Sequence, residues 1–421
     1  MAEKLTCSQL EHQVLRLFTP SLLPNCGEYP GRVGVELELI PVKIGEYPPR
    51  PVTVDSLTKA LADDQDLVHD ACISFESGGQ MELSPPPGNT VASAMRHVQD
   101  LTDRLYQCGN RRGILFLNAG LNPWHTPDAL GLQTDYPRYR VMQTHFDAIG
   151  GAGRRMMRQT ASLQVCLDLG CGQTAVERWQ LANLAGPALT AAFANSPLLD
   201  GTPTGWRSTR SAIWQHVDQS RTGFDASQVG TEMIDRYLDF ALRAEAMPLP
   251  RKDEESLPFR LSFGDWLSMD GARPDAEDFA HHLTTLFPPV RPRGYLEVRY
   301  LDAVPQRWRG VPICLLAALL YDLIARRDAL EILQARTRGP AREWRIAAAS
   351  GMTDASLRQT ACDLFDIALE AVARFPDGYL PADAPVLMQE YRMRFPTTGR
   401  CPADEQLARF KACPQDLSIW I

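Results

Sequence analysis

The sequence predicts an α+β fold, an antiparallel sheet with helices packed on one face and a polar floor on the other. Three observations predict it. Four short segments, "RVGVELELI", "ISFESGGQMEL", "ASLQVCLDL" and "GYLEVRYLD", alternate apolar with polar residues, as strands with one wet face do. None is apolar throughout, as strands of a doubly wound parallel sheet tend to be. Helical periodicity fills stretches between them and most of the chain from Pro305 to about 374.

Residues 1–25 read as an amphipathic helix and a Pro/Asn loop. In 32–40, Val33, Val35, Leu37 and Leu39 face one way, and Glu36 and Glu38 the other. Residues 41–53 are Pro-rich and loop-like. Residues 73–83 form one strand, with Gly78 and Gly79 allowing a bulge or tight bend, and Pro85, Pro86 and Pro87 end its pairing. Asn89 or Thr90 then caps a helix carrying Val91, Met95, Val98, Leu101 and Leu105. A long polar loop occupies 119–140, and its length suggests binding. In 161–169, Leu163, Val165, Leu167 and Leu169 oppose Ser162, Gln164, Cys166 and Asp168, and a helix follows over about 175–194. Stretches 197–230 and 248–275 are loop-rich, and the strand at 294–302 sets Glu297 and Arg299 on one face. "VPICLLAALLYDLIARR" reads as a buried helix, broken by Asp322 and short of the ~20 residues that span a bilayer. With neither repeats nor a flexible linker, the chain reads as a single catalytic domain, 1–421, with a sheet core at about 28–304 and a helical part at about 305–421.

Composition excludes some functions. A net charge of −8 and a 44% hydrophobic content describe a globular protein without a nucleic-acid or anionic-membrane partner. The ten cysteines contain no C-x-x-C and the eight histidines no H-E-x-x-H, so no zinc or disulfide framework is signalled. The N-terminus lacks a secretory pattern, and a reduced cytoplasmic setting is expected.

An E-x-E on an alternating strand is ordinarily just a wet face. Here the strands repeat the pattern without lysines among the acids. Carboxylates two apart on a strand lie ~7 Å apart and repel by roughly 2 kcal/mol at an effective dielectric of 20. A divalent ion between them reverses that sign. Glu36, Glu38, Glu76 and Glu82 are therefore expected to hold Mg2+ or Mn2+, which share oxygen ligands with phosphates. No G-x-x-x-x-G-K-[ST] loop is present, so arginines would meet phosphate; Arg138, Arg207, Arg210, Arg221 and Arg299 are candidates. Trp206, Trp214 and Trp266 lie in the loop-rich stretches, as pocket or packing residues.

In order along the chain, "GVELEL", "GGQMELSPPPG", "YPRYRVM", "MMRQTASLQVCLDL", "ANSPLLDGTPTGWRSTRSAIWQHVDQSRTGF" and "GYLEVRYLD" resemble motifs of glutamate–cysteine ligases of the plant and bacterial type. "FGDWL" is similar to a further loop of that family and adds weight to Trp266. Among bacterial members the resemblance is greatest to the ligase of ergothioneine biosynthesis. The resemblance implies a curved sheet related to glutamine synthetase and the guanidino kinases. It implies ATP as co-substrate, with glutamate and cysteine joined through a γ-glutamyl phosphate. It carries magnesium ligation to Glu36, Glu38, Glu82 and Glu297, with Glu76 as a further ligand. Catalytic roles fall on Glu36, Arg210 and Arg299; Arg138, Thr160, Gln164, Arg221 and Trp266 join those arginines in binding substrate or nucleotide. Cys166 stands where plant members usually carry Asn. A monomer or small homo-oligomer is expected, with small molecules as its partners. The alternatives are a carboxylate–amine ligase with another acceptor, a guanidino-type kinase and an inert nucleotide- or metal-binding protein.

Overall fold

The computed structural model describes residues 5–19, 30–62, 67, 72–225, 232–249, 260–269, 273–337 and 339–421. Its strands are β1 (Val33–Lys43), β2 (Arg50–Pro51), β3 (Ile73–Phe75), β4 (Met81–Leu83), β5 (Ile114–Leu117), β6 (Ser162–Leu167), β7 (Leu198–Leu199), β8 (Thr202–Pro203), β9 (Val290–Pro292) and β10 (Leu296–Asp302). The main sheet runs β3-β4-β1-β6-β10-β9, antiparallel at every step, with β2 and β5 paired to the far half of β1.

The faces follow from the alternation. Val33, Val35, Leu37, Leu163, Val165, Leu296 and Val298 are buried in the main core. Helices Val91–Arg111, Gly172–Leu184, Gly186–Ala192 and Gly310–Tyr321 pack on that apolar face. Burial of these branched side chains, at about 25 cal/mol per Å² of apolar surface, makes a one-residue register slip costly and fixes which side the acids occupy.

Some expectations hold and others change. The first helix is Cys7–Phe18, and residues 20–29 lie outside the described residues. β1 continues to Lys43 through the stretch expected as loop, because Ile40 and Val42 bury against Leu117 in a second cluster and Pro41 still accepts Val52 N through its carbonyl at 3.2 Å. Residues 73–83 are a hairpin, not one strand. Glu76 N donates to Gln80 O at 2.8 Å, and Gly79 turns the chain at φ +90°. Gly78 is needed for close approach, since a Cβ there would meet the Arg158 backbone at 2.3 Å. The helix expected over 175–194 is divided at Ala185. Part of the long loop is helical, Pro127–Leu130 and the start of Pro137–Ile149. Thr90 is the cap of Val91–Arg111, accepting Ser93 N at 2.9 Å.

Asp322 does more than interrupt an apolar run. Its carboxylate accepts Ala325 N at 2.8 Å and caps a new helix, Leu323–Arg336, which leaves Gln306–Tyr321 at 96°. Among the described residues no single helix is long and apolar enough to cross a membrane; that bent pair together passes by length and composition, and its Gly310–Tyr321 part is wholly buried. The chain then continues through Pro340–Ser350 and Ala355–Val372. The last forty residues add helices Ala384–Arg394 and Pro402–Ala412, and Trp420 is buried against Trp124.

Candidate active site

The polar floor carries a cleft of about 750 Å³. It is lined by Glu36, Glu38, Glu76, Glu82, Gln164 and Arg299, with Ser74, Arg138, Tyr139, Arg291 and Arg293 around them. Each strand delivers its side chains through period-two geometry, and the registers bring distant residues level. Glu38 stands opposite Glu82, Ser74 opposite Glu82, Glu36 opposite Gln164, and Glu297 opposite Cys166 and Arg291.

Oxygens of Glu38, Glu76 and Glu82 all lie within 4.8 Å of one another. Glu38 accepts Ser162 N at 2.7 Å and Gln164 Nε2 at 3.3 Å. Glu82 accepts the hydroxyls of Ser74 and Ser84, each at 3.1 Å. Tyr139 Oη donates to Glu76 at 3.0 Å. Burial, then Glu76 and Glu82, push the Glu38 carboxyl up to about 8. Burial, then Glu297 and Glu82, push Glu36 up to about 7. Burial and Glu76 also raise Glu82. Acids that resist ionising side by side, with only oxygen donors, match a hard divalent cation such as Mg2+ or Mn2+. Glu36 lines the same cleft, its Oε1 3.9 Å from the Cys166 thiol.

Glu297 departs from the expectation that it is a metal ligand. Fully buried, it receives Arg291 at 2.7 and 3.0 Å, Arg293 at 3.1 Å and Arg299 at 2.8 Å. Both its oxygens are therefore occupied. Burial opposes its charge, but Arg291 and Arg299 outweigh burial and hold the carboxyl below the usual range. In this structure Glu297 anchors the cationic half of the cleft. Arg299 links the halves, donating through Nη1 to Gln164 Oε1 at 2.9 Å as well as to Glu297. A β-bulge in β10 between Val298 and Leu301 sets Arg299 beside Gln164.

The other expected residues divide. Arg138 is exposed at the cleft rim, 5.7 Å over the Tyr139 ring. Arg210 does not line this cleft; it is buried next to it, 3.8 Å from Asp302, and donates to the Arg299 carbonyl at 2.8 Å. Three residues expected to bind substrate lie elsewhere. Thr160 spends its hydroxyl on Met156 O at 2.6 Å and its carbonyl on Gln80 Nε2 at 2.9 Å. Arg221 is buried and held by Asp218 at 2.7 Å and Thr285 O at 2.9 Å. Trp266 packs in the main core, edge-on to Phe263 at 5.4 Å. Arg207 pairs with Asp404. The long loop expected to bind, 119–140, supplies Gln133 to Tyr139, while much of the loop-rich stretch 248–275 lies outside the described residues.

Sequence reasoning missed Tyr139, Arg291 and Arg293. The signal for the arginines was "VRPRG", two cations at strand spacing just before the Glu297 strand. Tyr139 sits in "YPRYRVM", on the first turn of a Pro-started helix that points it into the cleft.

The model of glutamate–cysteine ligase family 2 matches residues 32–416. Glutamate–cysteine ligase EgtA of Mycolicibacterium smegmatis is 35% identical over 381 residues, 89% of this chain and 86% of that protein. The chloroplastic glutamate–cysteine ligase of Medicago truncatula is 34% identical over 62% of this chain and 52% of its own length. Among solved structures, a glutamate–cysteine ligase from Francisella tularensis in complex with AMP shares the fold at a TM-score of 0.57, with 12% identity, over 94% of this chain and 88% of that one. A bifunctional glutathione synthetase from Pasteurella multocida aligns at a TM-score of 0.50 and 13% identity, over 99% of this chain and 52% of that one. A match over most of the length, with relatives above 30% identity, makes this chain a member of glutamate–cysteine ligase family 2.

Proposed function

We propose that the chain joins the γ-carboxylate of glutamate to the amine of cysteine, consuming ATP through a γ-glutamyl phosphate, and that the product feeds a low-molecular-weight thiol such as ergothioneine. The observation that carries the reading is the convergence of Glu38, Glu76 and Glu82 within 4.8 Å, beside Arg299. It is supported by the similarity to EgtA of Mycolicibacterium smegmatis and of Mycobacterium tuberculosis.

Glu38, Glu76 and Glu82 would hold Mg2+ or Mn2+, with Glu36 beside them, and the ion when bound would screen the phosphates' charge. Arg291, Arg293 and Arg299 then meet the phosphoryl oxygens from the other side of the cleft, held in place by Glu297. Gln164 positions Arg299 and Glu38 together through its oxygen and nitrogen. Tyr139 keeps its proton, because burial and Glu76 raise its phenol above the ordinary range, so it acts as a donor to Glu76. Arg138 and the 133–139 segment would exclude water from the acyl phosphate.

We read residues 1–421 as one catalytic domain, acting in the cytoplasm as a monomer or small homo-oligomer, and the curved sheet as related to glutamine synthetase and the guanidino kinases. The test is ADP and dipeptide formation by the purified protein with glutamate, ATP and Mg2+, adding or omitting cysteine. Glutamate-dependent ADP release with γ-glutamylcysteine supports the reading. A phosphoramidate product, or no nucleotide turnover, defeats it.

A further inference from the structure

Of the three acids that gather in the cleft, Glu38 and Glu82 are fixed by the sheet, since they face each other across the β1–β4 ladder. Glu76 lies outside the strands. It follows Phe75, the last residue of β3, and opens the hairpin turn, where Glu76 N donates to Gln80 O at 2.8 Å and Gly79 N to Glu76 O at 3.0 Å. Like charges gathered within 4.8 Å push apart, and the turn has the least ladder to resist that push. Its fixing comes from other parts of the chain.

Ser77 Oγ and Gln80 Nε2 tie the turn to Met157 O at 2.7 and 3.3 Å, and Gln133 ties it to the rim of the cleft. The Gln133 backbone N–H donates to Ser77 O at 2.8 Å. Its side-chain Nε2 donates to Gly78 O at 2.9 Å and Leu130 O at 3.2 Å, and its Oε1 accepts Val54 N at 2.7 Å. The amide's donors face carbonyls and its oxygen faces an N–H, so the reversed amide would set like against like. A Cβ on Gly79 would meet this Nε2 at 2.7 Å. At the other end of the same segment, Tyr139 Oη donates to Glu76 Oε2 at 3.0 Å, while Asp135, Tyr136, Pro137 and Arg138 between them are exposed. One rim segment therefore grips the turn twice, at its backbone through Gln133 and at its carboxylate through Tyr139.

We propose that Gln133 is a positioning residue of the acidic cluster: its amide holds the turn at Gly78 so that Glu76 stays beside Glu38 and Glu82. The role rests on the reading of those three acids as cation ligands. Gln133 acts through the backbone of Glu76, and Val54 and Leu130 are the fixed points from which it holds the turn. Without that amide the turn relaxes away from its acidic neighbours. A cation then finds two carboxylates fixed by the ladder and a third that has to be ordered on binding, and the lost conformational entropy weakens affinity.

Mn2+ titrations of the full chain followed by electron paramagnetic resonance, well below the unfolding temperature, test this, with circular dichroism as the control for folding. Gln133→Met keeps the length of the side chain and removes its hydrogen bonds. The Mn2+ dissociation constant is expected to rise about tenfold, the lower end of what lost outer-shell partners cost a metal site. A residue that only stabilises the fold would lower the melting temperature and leave that constant unchanged, and this result overturns the proposal. Glu76→Gln supplies the second arm. If Gln133 acts through Glu76, adding Gln133→Met to Glu76→Gln changes the constant by less than about twofold; a second loss as large as the first overturns the proposal. An affinity that Glu76→Gln leaves at the wild-type value overturns it too, because Gln133 would have no ligand to place. If Gln133→Met does not fold, Gln133→Asn, a methylene short of reaching both Val54 and Gly78, carries the same comparison. Wild-type protein that binds no Mn2+ defeats the cation reading itself; wild-type binding with the Gln133 variants unaltered defeats only the positioning role.

Discussion

Glu38 faces Glu82 directly across the β1–β4 ladder, and both have an oxygen within 4.8 Å of Glu76. Two charges at that distance repel by roughly 3 kcal/mol at an effective dielectric of 20. Sequence-distant strands therefore hold together an arrangement of like charges that a bound cation would offset.

Glu82→Ala removes one oxygen donor from that cluster and relieves the repulsion. Mn2+ binding followed by electron paramagnetic resonance is expected to weaken by tenfold or more, about 1.4 kcal/mol per decade, with ligation lost and the melting temperature of the metal-free protein unchanged or higher. Mn2+ affinity equal to that of wild type would count against Glu82 as a ligand.

Glu297→Ala is expected to behave differently. It strips Arg291 and Arg299, which are themselves nearly buried, of their shared carboxylate. Breaking a buried pair by removing one partner costs about 3–5 kcal/mol, so this variant loses stability in urea as well as activity. A Glu297→Ala protein as stable as wild type would remove the arginine-anchor role.

The raised carboxyls predict a pH dependence. Glu36 and Glu38 titrate at about 7 and about 8 in the folded, metal-free protein against an ordinary value of 4.5. Between those limits the folded state binds more protons than the unfolded one, so stability falls as pH rises from about 4.5 to about 8. Cation binding must displace those protons and strengthens over the same interval. Thermal melts at pH 6 and pH 8 check both: without metal the melting temperature is lower at pH 8, and the rise on adding Mg2+ is larger there. The opposite order of either would refute the cluster's electrostatics.

Asp302 anchors Arg210 and accepts Asn195 N at 2.8 Å, Ser196 Oγ at 2.7 Å and Ser208 Oγ at 2.9 Å. A Cβ on Gly120 would meet its Cγ at 2.4 Å, and the carboxylate is held by too many partners to retreat. Gly120→Ala is therefore expected to destabilise the fold by about 1–3 kcal/mol, the usual range for overpacking, measured by urea denaturation. A neutral effect would show that this corner of the sheet is more compliant than its hydrogen bonds indicate.

The floor of the site was legible because strand side chains alternate with period two: Glu36 and Glu38 in "GVELEL", and Gln164 in "ASLQVCLDL", had to face away from the leucines and valines beside them. The hairpin at 73–83 was not, since a Gly-Gly pair suits a bulge and a reversal equally, and the choice came from Gly78 packing on Arg158. Trp266, Arg221 and Thr160 were misread because residue type and motif do not say whether a side chain faces a cleft or a core. Burial against Phe263, Asp218 and Met156 decided that.

By itself the sequence determined the antiparallel sheet, the face its acids occupy and the helices that cover the other face, all consequences of local periodicity and apolar burial. Only the tertiary structure decided that Glu38, Glu76 and Glu82 gather while Glu297 goes to the arginines. Ion pairing depends on which strands become neighbours and on where a bulge turns Arg299, and those are long-range choices that no local pattern encodes.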